Sequence, residues 1–278
     1  MKTEMKELEG VSETALWVAA YRARAGCDPY AALLAGSRGE TIIRTIEQGD
    51  GLGWGIAVRT RAFDEMVLAR AAEVDVVLSL GCGLDARPYR LALPPSLLWI
   101  EADLPGLLEY KEGLLPAAGA RCRLERVAVD LRDAAARYAL FAQTGQMGRR
   151  VLVIAEGVLI YLEPGAVDAL AAELHASLRD AYLIIDHSSP ATVRASSQLW
   201  SEGLRRLAPL RFGVEDAAGY FRERGWEPIE RRSFAEESLR LKRGPLALAS
   251  RLAWSLMAPA KRDELRAMNG FMTLRRNS

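Results

Sequence analysis

The 278 residues include only three cysteines and two histidines. Cys27, Cys82 and Cys122 are widely spaced and odd in number, so they describe neither a disulfide framework nor a zinc knuckle, and a reducing cytoplasm is the expected compartment. His175 and His187 form no cluster with the cysteines at ligand spacing, so no metal site is expected. Excess charge is also missing: the formal net charge is +1, and no global field draws the chain to nucleic acid or an anionic membrane. The arginines that accumulate from Arg222 onward read as a solvated patch. Long apolar runs are absent as well. The most membrane-like stretch, Gly244 to Ala260, is interrupted by Arg251 and falls short of the roughly 20 apolar residues a span needs. It is expected to be a helix packed on the body of the protein, with a lid over a greasy substrate as the functional alternative. The opening MKTEMKELEG alternates charges without an apolar centre and is not expected to act as a secretory signal.

What is present is ordinary globular material, 50% hydrophobic and 26% charged, enough for one large α/β domain with an appendage. Glu13 to Arg70 is helical in pattern, with Ala-rich amphipathic runs at Ala15 to Ala25 and Arg59 to Ala71 and a glycine-rich break at Gly49 to Gly55. Strands are then expected at Val74 to Leu80, Leu97 to Asp103, Leu124 to Asp130, Val151 to Glu156 and Tyr182 to Asp186. Helices are expected between them at Leu104 to Leu115, Asp133 to Phe141 and Pro164 to Arg179. Such alternation implies a doubly wound, mostly parallel sheet with crossover helices on both faces. A Ser-rich stretch at Ser188 to Ser197 leads into a helical piece around Gln198 to Leu207, which reads as an insertion that shapes a substrate pocket. A helix at Glu215 to Arg224 and strands near Pro228 to Ser233 and Gly270 to Arg275 bring the sheet to seven strands, the last two pairing as an antiparallel edge. The expected division is a helical cap over 1–72 and a ligand-binding domain over 73–278, with 188–212 as the insertion.

The stretch Ser79 to Leu91, SLGCGLDARPYRL, joins the first strand to a glycine turn. Gly81 and Gly83 admit backbone angles closed to other residues and let a ligand lie against the main chain; a plain strand-to-loop turn is the alternative. In open α/β sheets ligands bind at the carboxyl ends of the strands, where strand order reverses, and here those ends carry acids. Asp103 lies about 20 residues beyond the turn, the distance at which a carboxylate meets ribose hydroxyls. Asp130 is placed to accept from an adenine amine while Leu131 packs on the ring. Glu156 ends the fourth strand. One acid alone reads as a solvated turn residue; three at successive strand ends form a pattern. A dinucleotide dehydrogenase shares these features, but Arg87 replaces the third glycine of its loop and Asp85 would repel a pyrophosphate. That acid suits a ligand with ammonium and sulfonium charges, which points to S-adenosylmethionine.

SLGCGLDARPYRL, WIEADLPGLLEYKEGLL, VAVDLRD and IAEGVLIYLEP, with AVRTRAFDEMV upstream, resemble in content and order the leucine carboxyl methyltransferase-like family, which includes bacterial O-methyltransferases of polyketide pathways. The likeness runs from about Ser12 to about Asp186 and loosens beyond. It implies a class I, Rossmann-like methyltransferase fold with a helical cap, and it assigns Arg59, Gly81, Asp103, Asp130, Leu131 and Glu156 to S-adenosylmethionine. Arg59 would hold the methionyl carboxylate by a two-pronged contact, a helix-surface arginine being the alternative. Glu156 would lie near the methionyl ammonium or order the glycine loop. Cys82 stands where alanine is common.

Methyl transfer needs alignment of the acceptor oxygen and exclusion of water, not a metal. A carboxylate acceptor is already ionised at neutral pH, whereas an alcohol or most phenols must lose a proton. His187, directly after the expected fifth strand, is the candidate general base, with a structural loop histidine as the alternative; His175 reads as a mid-helix surface residue. Tyr161 and Arg194 are further candidates for the pocket wall. The expected activity is O-methylation of a carboxylate or hydroxyl of a small molecule, such as a polyketide-like metabolite. Carboxyl methylation of a protein C-terminus and a non-catalytic adenosine-ligand module are the alternatives.

Overall fold

A computed structural model describes residues 11–46, 53–199, 202, 205, 208–242 and 249–277. Three helices come first: α1 (Val11–Arg24), α2 (Ala31–Ile46) and α3 (Gly53–Ala71). Strands and helices then alternate through β1 (Val76–Leu80), α4 (Arg87–Arg90), β2 (Leu98–Asp103), α5 (Pro105–Leu114), β3 (Arg123–Ala128), α6 (Ala134–Met147), β4 (Arg150–Ala155), α7 (Pro164–Ser177) and β5 (Asp180–Ser188). The chain continues with α8 (Pro190–Leu199), α9 (Ala217–Arg222), β6 (Trp226–Ser233), α10 (Phe234–Arg240), α11 (Ala249–Leu256), α12 (Pro259–Met268) and β7 (Asn269–Arg276).

The seven strands form one sheet in the order β3-β2-β1-β4-β5-β7-β6, parallel except for β7, which runs antiparallel to both neighbours. Strand order reverses between β1 and β4, which pair directly. The sheet is covered on both faces. Leu140 and Phe141 of α6, Val167, Leu170 and Leu174 of α7 and Phe221 of α9 pack on one face; Val58, Phe63, Met66 and Val67 of α3 pack on the other. A parallel strand buried on both sides reads as an unbroken apolar run, which is why VVLSL of β1 is buried at all five positions. A third cluster joins Leu16, Tyr21, Leu34 and Ile43 of α1 and α2 to Leu84, Tyr89 and Leu107, so the first helices sit on the loops that leave β1 and β2.

Several expectations need correction. The last two strands do pair antiparallel, but β7 is interior and β6 is the edge, because the terminal strand inserts beside β5. Pro228, at a register irregularity in β6, suits an edge, where a missing amide costs no ladder bond. The Ser-rich segment is already helical from Pro190, and most of 200–207 lies outside the described residues. Of the glycine-rich break, residues 49–52 lie outside the described residues and Gly53 opens α3. Within 244–260 the chain forms α11 and then turns into α12; residues 244–248 lie outside the described residues, and Leu256 is exposed rather than packed. The arginines beyond Arg222 are not simply solvated: Arg232 and Arg240 bind Glu65, and Arg266 binds Glu236 and Asp263. His175 packs edge-on against Trp226.

Several charged groups inside this frame are paired. Glu101, fully buried on β2, accepts from Lys111 Nζ at 2.7 Å and from Arg126 Nε at 2.9 Å, which ties β2, β3 and α5 together. Removing one member of a buried ion pair leaves its partner charged and dry. Glu101→Ala is therefore expected to lower unfolding free energy by about 3–5 kcal/mol, read as a drop in the urea midpoint.

Candidate functional site

The turn after β1 is held by backbone geometry. Gly81 and Gly83 take φ of +54° and +53°, a left-handed conformation costly for residues with a Cβ, and a Cβ on Gly81 would come within 2.6 Å of Val158 Cγ2. Gly83 N–H donates to Asp103 Oδ2 and Leu104 N–H to Asp103 Oδ1, both at 2.7 Å. The end of β2 thus anchors the loop from β1. Burial raises the Asp103 carboxyl, with these two amides and Lys111 opposing the rise.

Asp85 and Arg87 do not face a ligand. Both are buried, and Arg87 donates to Asp64 Oδ1 at 2.7 Å, Asp85 Oδ2 at 2.9 Å and Glu156 Oε2 at 2.6 Å. The inference from Asp85 to a cationic ligand is therefore corrected: its charge is spent on its own arginine two residues away. Glu156, at the end of β4, also receives Arg22 Nη2 at 2.9 Å and Arg59 Nε at 3.0 Å on Oε1. Burial alone would raise its carboxyl, but Arg87, Arg22 and Arg59 outweigh it and hold the group well below the usual carboxylate range. With both oxygens taken by guanidinium groups, Glu156 acts first as the hub of an ion network. Arg59 reaches on to Asp186 Oδ2 at 3.3 Å, and Asp186 Oδ1 accepts Gly157 N–H at 2.8 Å. Arg59 is accordingly not a surface arginine; it crosses from α3 to the ends of β4 and β5.

Arg59, Gly81, Gly83, Asp103, Asp130, Leu131, Glu156 and His187 all line one cavity of about 830 Å³ at the carboxyl ends of the strands. Asp130 lies beyond the end of β3 rather than within it, half exposed, its carboxylate clasped by Arg132 at 2.6 Å and lowered by that contact. Tyr161 also lines the cavity, whereas Arg194 is exposed on α8 and does not. His187 is the penultimate residue of β5, not a loop residue after it. It pairs with Gly270 of β7, where a Cβ would approach its Nε2 to 3.2 Å and the Arg232 carbonyl to 2.4 Å. A side chain at Gly270 would therefore crowd the imidazole. Nδ1 is buried without a hydrogen-bond partner among the described residues. Burial, reinforced by Arg231, lowers the imidazole to about 4, so at neutral pH it is uncharged.

Sequence reasoning missed Arg22 and Asp186 as site residues. Both line the cavity, yet Arg22 meets Glu156 across 134 positions. An arginine in the Ala-rich run of α1 was the available signal. Only the fold shows that it turns inward.

The family model described as leucine carboxyl methyltransferase matches residues 12–175. A proposed S-adenosyl-L-methionine-dependent methyltransferase of Mycobacterium tuberculosis is 34% identical over 229 residues, 74% of this chain and 75% of that protein. Another, of Mycobacterium bovis, is 34% identical over 269 residues, 84% of this chain and 86% of its own. Among solved structures, a proposed methyltransferase from Thermobifida fusca superposes with TM-score 0.62 at 16% identity, covering 97% of this chain and 96% of that one. A DUF574 family protein from Streptomyces avermitilis gives 0.61 at 19%, covering 94% and 97%. At these identities the structural likeness is one of fold.

Two outcomes follow from the geometry. Glu156→Ala leaves Arg22, Arg59 and Arg87 without their shared acceptor and is expected to cost about 3–5 kcal/mol of stability, measured by chemical denaturation. For His187 the folded value of about 4 lies below the ordinary 6.5, so the unfolded chain binds its proton first on acidification. The stabilisation is complete above pH 6.5 and declines as pH falls toward 4. The melting temperature should fall across that window, and His187→Gln should flatten the slope.

Proposed function

The chain belongs to the leucine carboxyl methyltransferase family and is an S-adenosylmethionine-dependent methyltransferase; on that footing we propose that it methylates an oxygen of a small molecule, a carboxylate or a hydroxyl. The observation that carries this reading is one cavity lined both by the glycine turn with Asp103, Asp130 and Glu156 and by apolar side chains that include Ile160, Leu210, Phe234 and Phe271.

When bound, S-adenosylmethionine supplies a methyl group on an already electrophilic sulfonium. The residues present fit such a ligand. Asp103, braced by two backbone amides, keeps acceptor capacity for ribose hydroxyls. Asp130 would accept from the adenine amine and Leu131 would cover the ring. Arg59 would be the cationic group for the methionyl carboxylate, with Glu156 holding its guanidinium. The glycine turn lets the ligand approach the main chain, as the left-handed angles there permit. The apolar part holds the acceptor and excludes water, which is most of what methyl transfer asks of a protein. His187 accepts a hydrogen bond from a hydroxyl acceptor; with its imidazole lowered to about 4 it is a weak base, and its contribution is orientation more than proton removal.

We assign no nucleic-acid or membrane partner. No helix among the described residues is long and apolar enough to cross a membrane. The three cysteines are buried and unpaired, in keeping with a cytoplasmic setting.

The test is calorimetric titration with S-adenosylmethionine and S-adenosylhomocysteine, beside an Asp103→Ala variant. Micromolar-range binding is expected, weakened about 10- to 100-fold in the variant through loss of charge-assisted hydrogen bonds worth roughly 1.5–3 kcal/mol. Methyl-labelled cofactor should then give ether or ester products. Binding that ignores Asp103, or products labelled on nitrogen, would overturn the assignment.

A further inference from the structure

A zwitterionic amino-acid group is best met by a cation and an anion side by side, because its ammonium and carboxylate sit on one carbon. With the methionyl carboxylate assigned to Arg59, the acid for the ammonium lies next to Arg59. Among the described residues two acids touch that guanidinium: Glu156, 3.0 Å from Nε, and Asp186, 3.3 Å from Nη1. Both line the cavity, and they differ in what already surrounds them.

Glu156 has three of its roughly four acceptor positions filled by guanidinium groups, Arg22 and Arg59 on Oε1 and Arg87 on Oε2. An ammonium approaching it would meet three like charges gathered on the same carboxylate, and their repulsion opposes the contact. Its side chain is 7% exposed. Asp186 is held more lightly. Oδ1 accepts the Gly157 N–H at 2.8 Å, Oδ2 meets Arg59 at the longer distance of 3.3 Å, and the side chain is 21% exposed. Burial raises the Asp186 carboxyl, with Arg59 and the Gly157 amide opposing the rise. Its charge is under-compensated, whereas the cations around Glu156 more than offset burial. Gly157 supports both members of the Arg59–Asp186 pair: at φ +64° its amide aims Asp186, and a Cβ there would come within 2.8 Å of Arg59 Nη1.

We propose that Asp186 binds the methionyl ammonium, and that the zwitterion inserts into the Arg59–Asp186 contact. This rests on Arg59 being the partner of the methionyl carboxylate. The exchange strands no charge. Arg59 keeps Glu156 through Nε and turns its outer edge from Asp186 to the ligand carboxylate, while Asp186 gains the ammonium in return. Glu156 thus fixes the arginine, and Asp186 reads the amine.

The experiment is calorimetric titration of the full-length protein with S-adenosylhomocysteine and with its analogue in which hydrogen replaces the α-amino group. For the wild type, loss of the amine is expected to weaken binding about 10- to 100-fold, the worth of a charge-assisted hydrogen bond. Asp186→Asn keeps an oxygen for the Gly157 amide and removes the charge. It is expected to weaken S-adenosylhomocysteine by a similar factor and to leave the deaminated analogue within about two-fold, so that the two changes are coupled. Asp186→Glu, which restores the charge, should recover part of the preference for the amine. Asp186→Ser takes the place of the asparagine variant should that one fail to fold, with the same expected pattern. Equal weakening of both ligands would reduce Asp186 to a brace for Arg59 and overturn the proposal, as would a wild type indifferent to the amine or a variant that keeps the full preference. Failure of the folded wild type to bind either ligand would instead overturn the cofactor site on which the proposal rests.

Discussion

The Glu156 carboxylate, receiving Arg22, Arg59 and Arg87 at once, is the contact on which the rest of the site depends. Each arginine comes from a different element: α1, α3 and the start of α4. Glu156 itself directly follows β4, at the point where strand order reverses. One side chain therefore fixes the first helices, the loop after β1 and the centre of the sheet relative to one another. In a medium of low polarity such contacts are strong only when every member is satisfied, and here Asp64, Asp85 and Asp186 supply the remaining acceptors. The network is as much a constraint as a source of stability, since losing the hub strands three cations.

The same economy of charge divides the cavity. Around the glycine turn, two backbone N–H donors hold the Asp103 carboxylate, so that its acceptors point in fixed directions. The same wall also carries side chains such as Leu210 and Phe271 that offer area and little polarity. A reaction whose electrophile is carried by the cofactor needs this division: polar fixation for the donor, an apolar, water-poor seat for the acceptor. The low value of the His187 imidazole belongs to the same environment, since burial that excludes water also disfavours the imidazolium.

Much of this was legible in the chain. The alternation of apolar runs with amphipathic segments marks β1 to β5 and their helices because periodicity is a local property. Asp103, Asp130 and Glu156 stand out because a strand end is a local event. Other features were misread for an equally physical reason. Asp85 looked like a ligand-facing acid because nothing local shows that Arg87 turns inward, where it is fixed between Asp85 and the sequence-distant acids Asp64 and Glu156. The place of β7 between β5 and β6 depends on pairing between distant residues, Asp186 with Phe271, 85 positions apart, and His187 with Gly270, 83 apart, and no local pattern encodes it.

Sequence by itself therefore determined the α/β class, the glycine turn, the acids at the strand ends and the family, because each rests on residue types at short spacing. Tertiary structure alone decided that Glu156 is a hub, that Arg22 and Asp186 belong to the site, that β7 is interior and that the His187 imidazole lies over Gly270. These are contacts between distant segments, and whether a charge is paired or free, buried or wet, is set only when the fold brings those segments together.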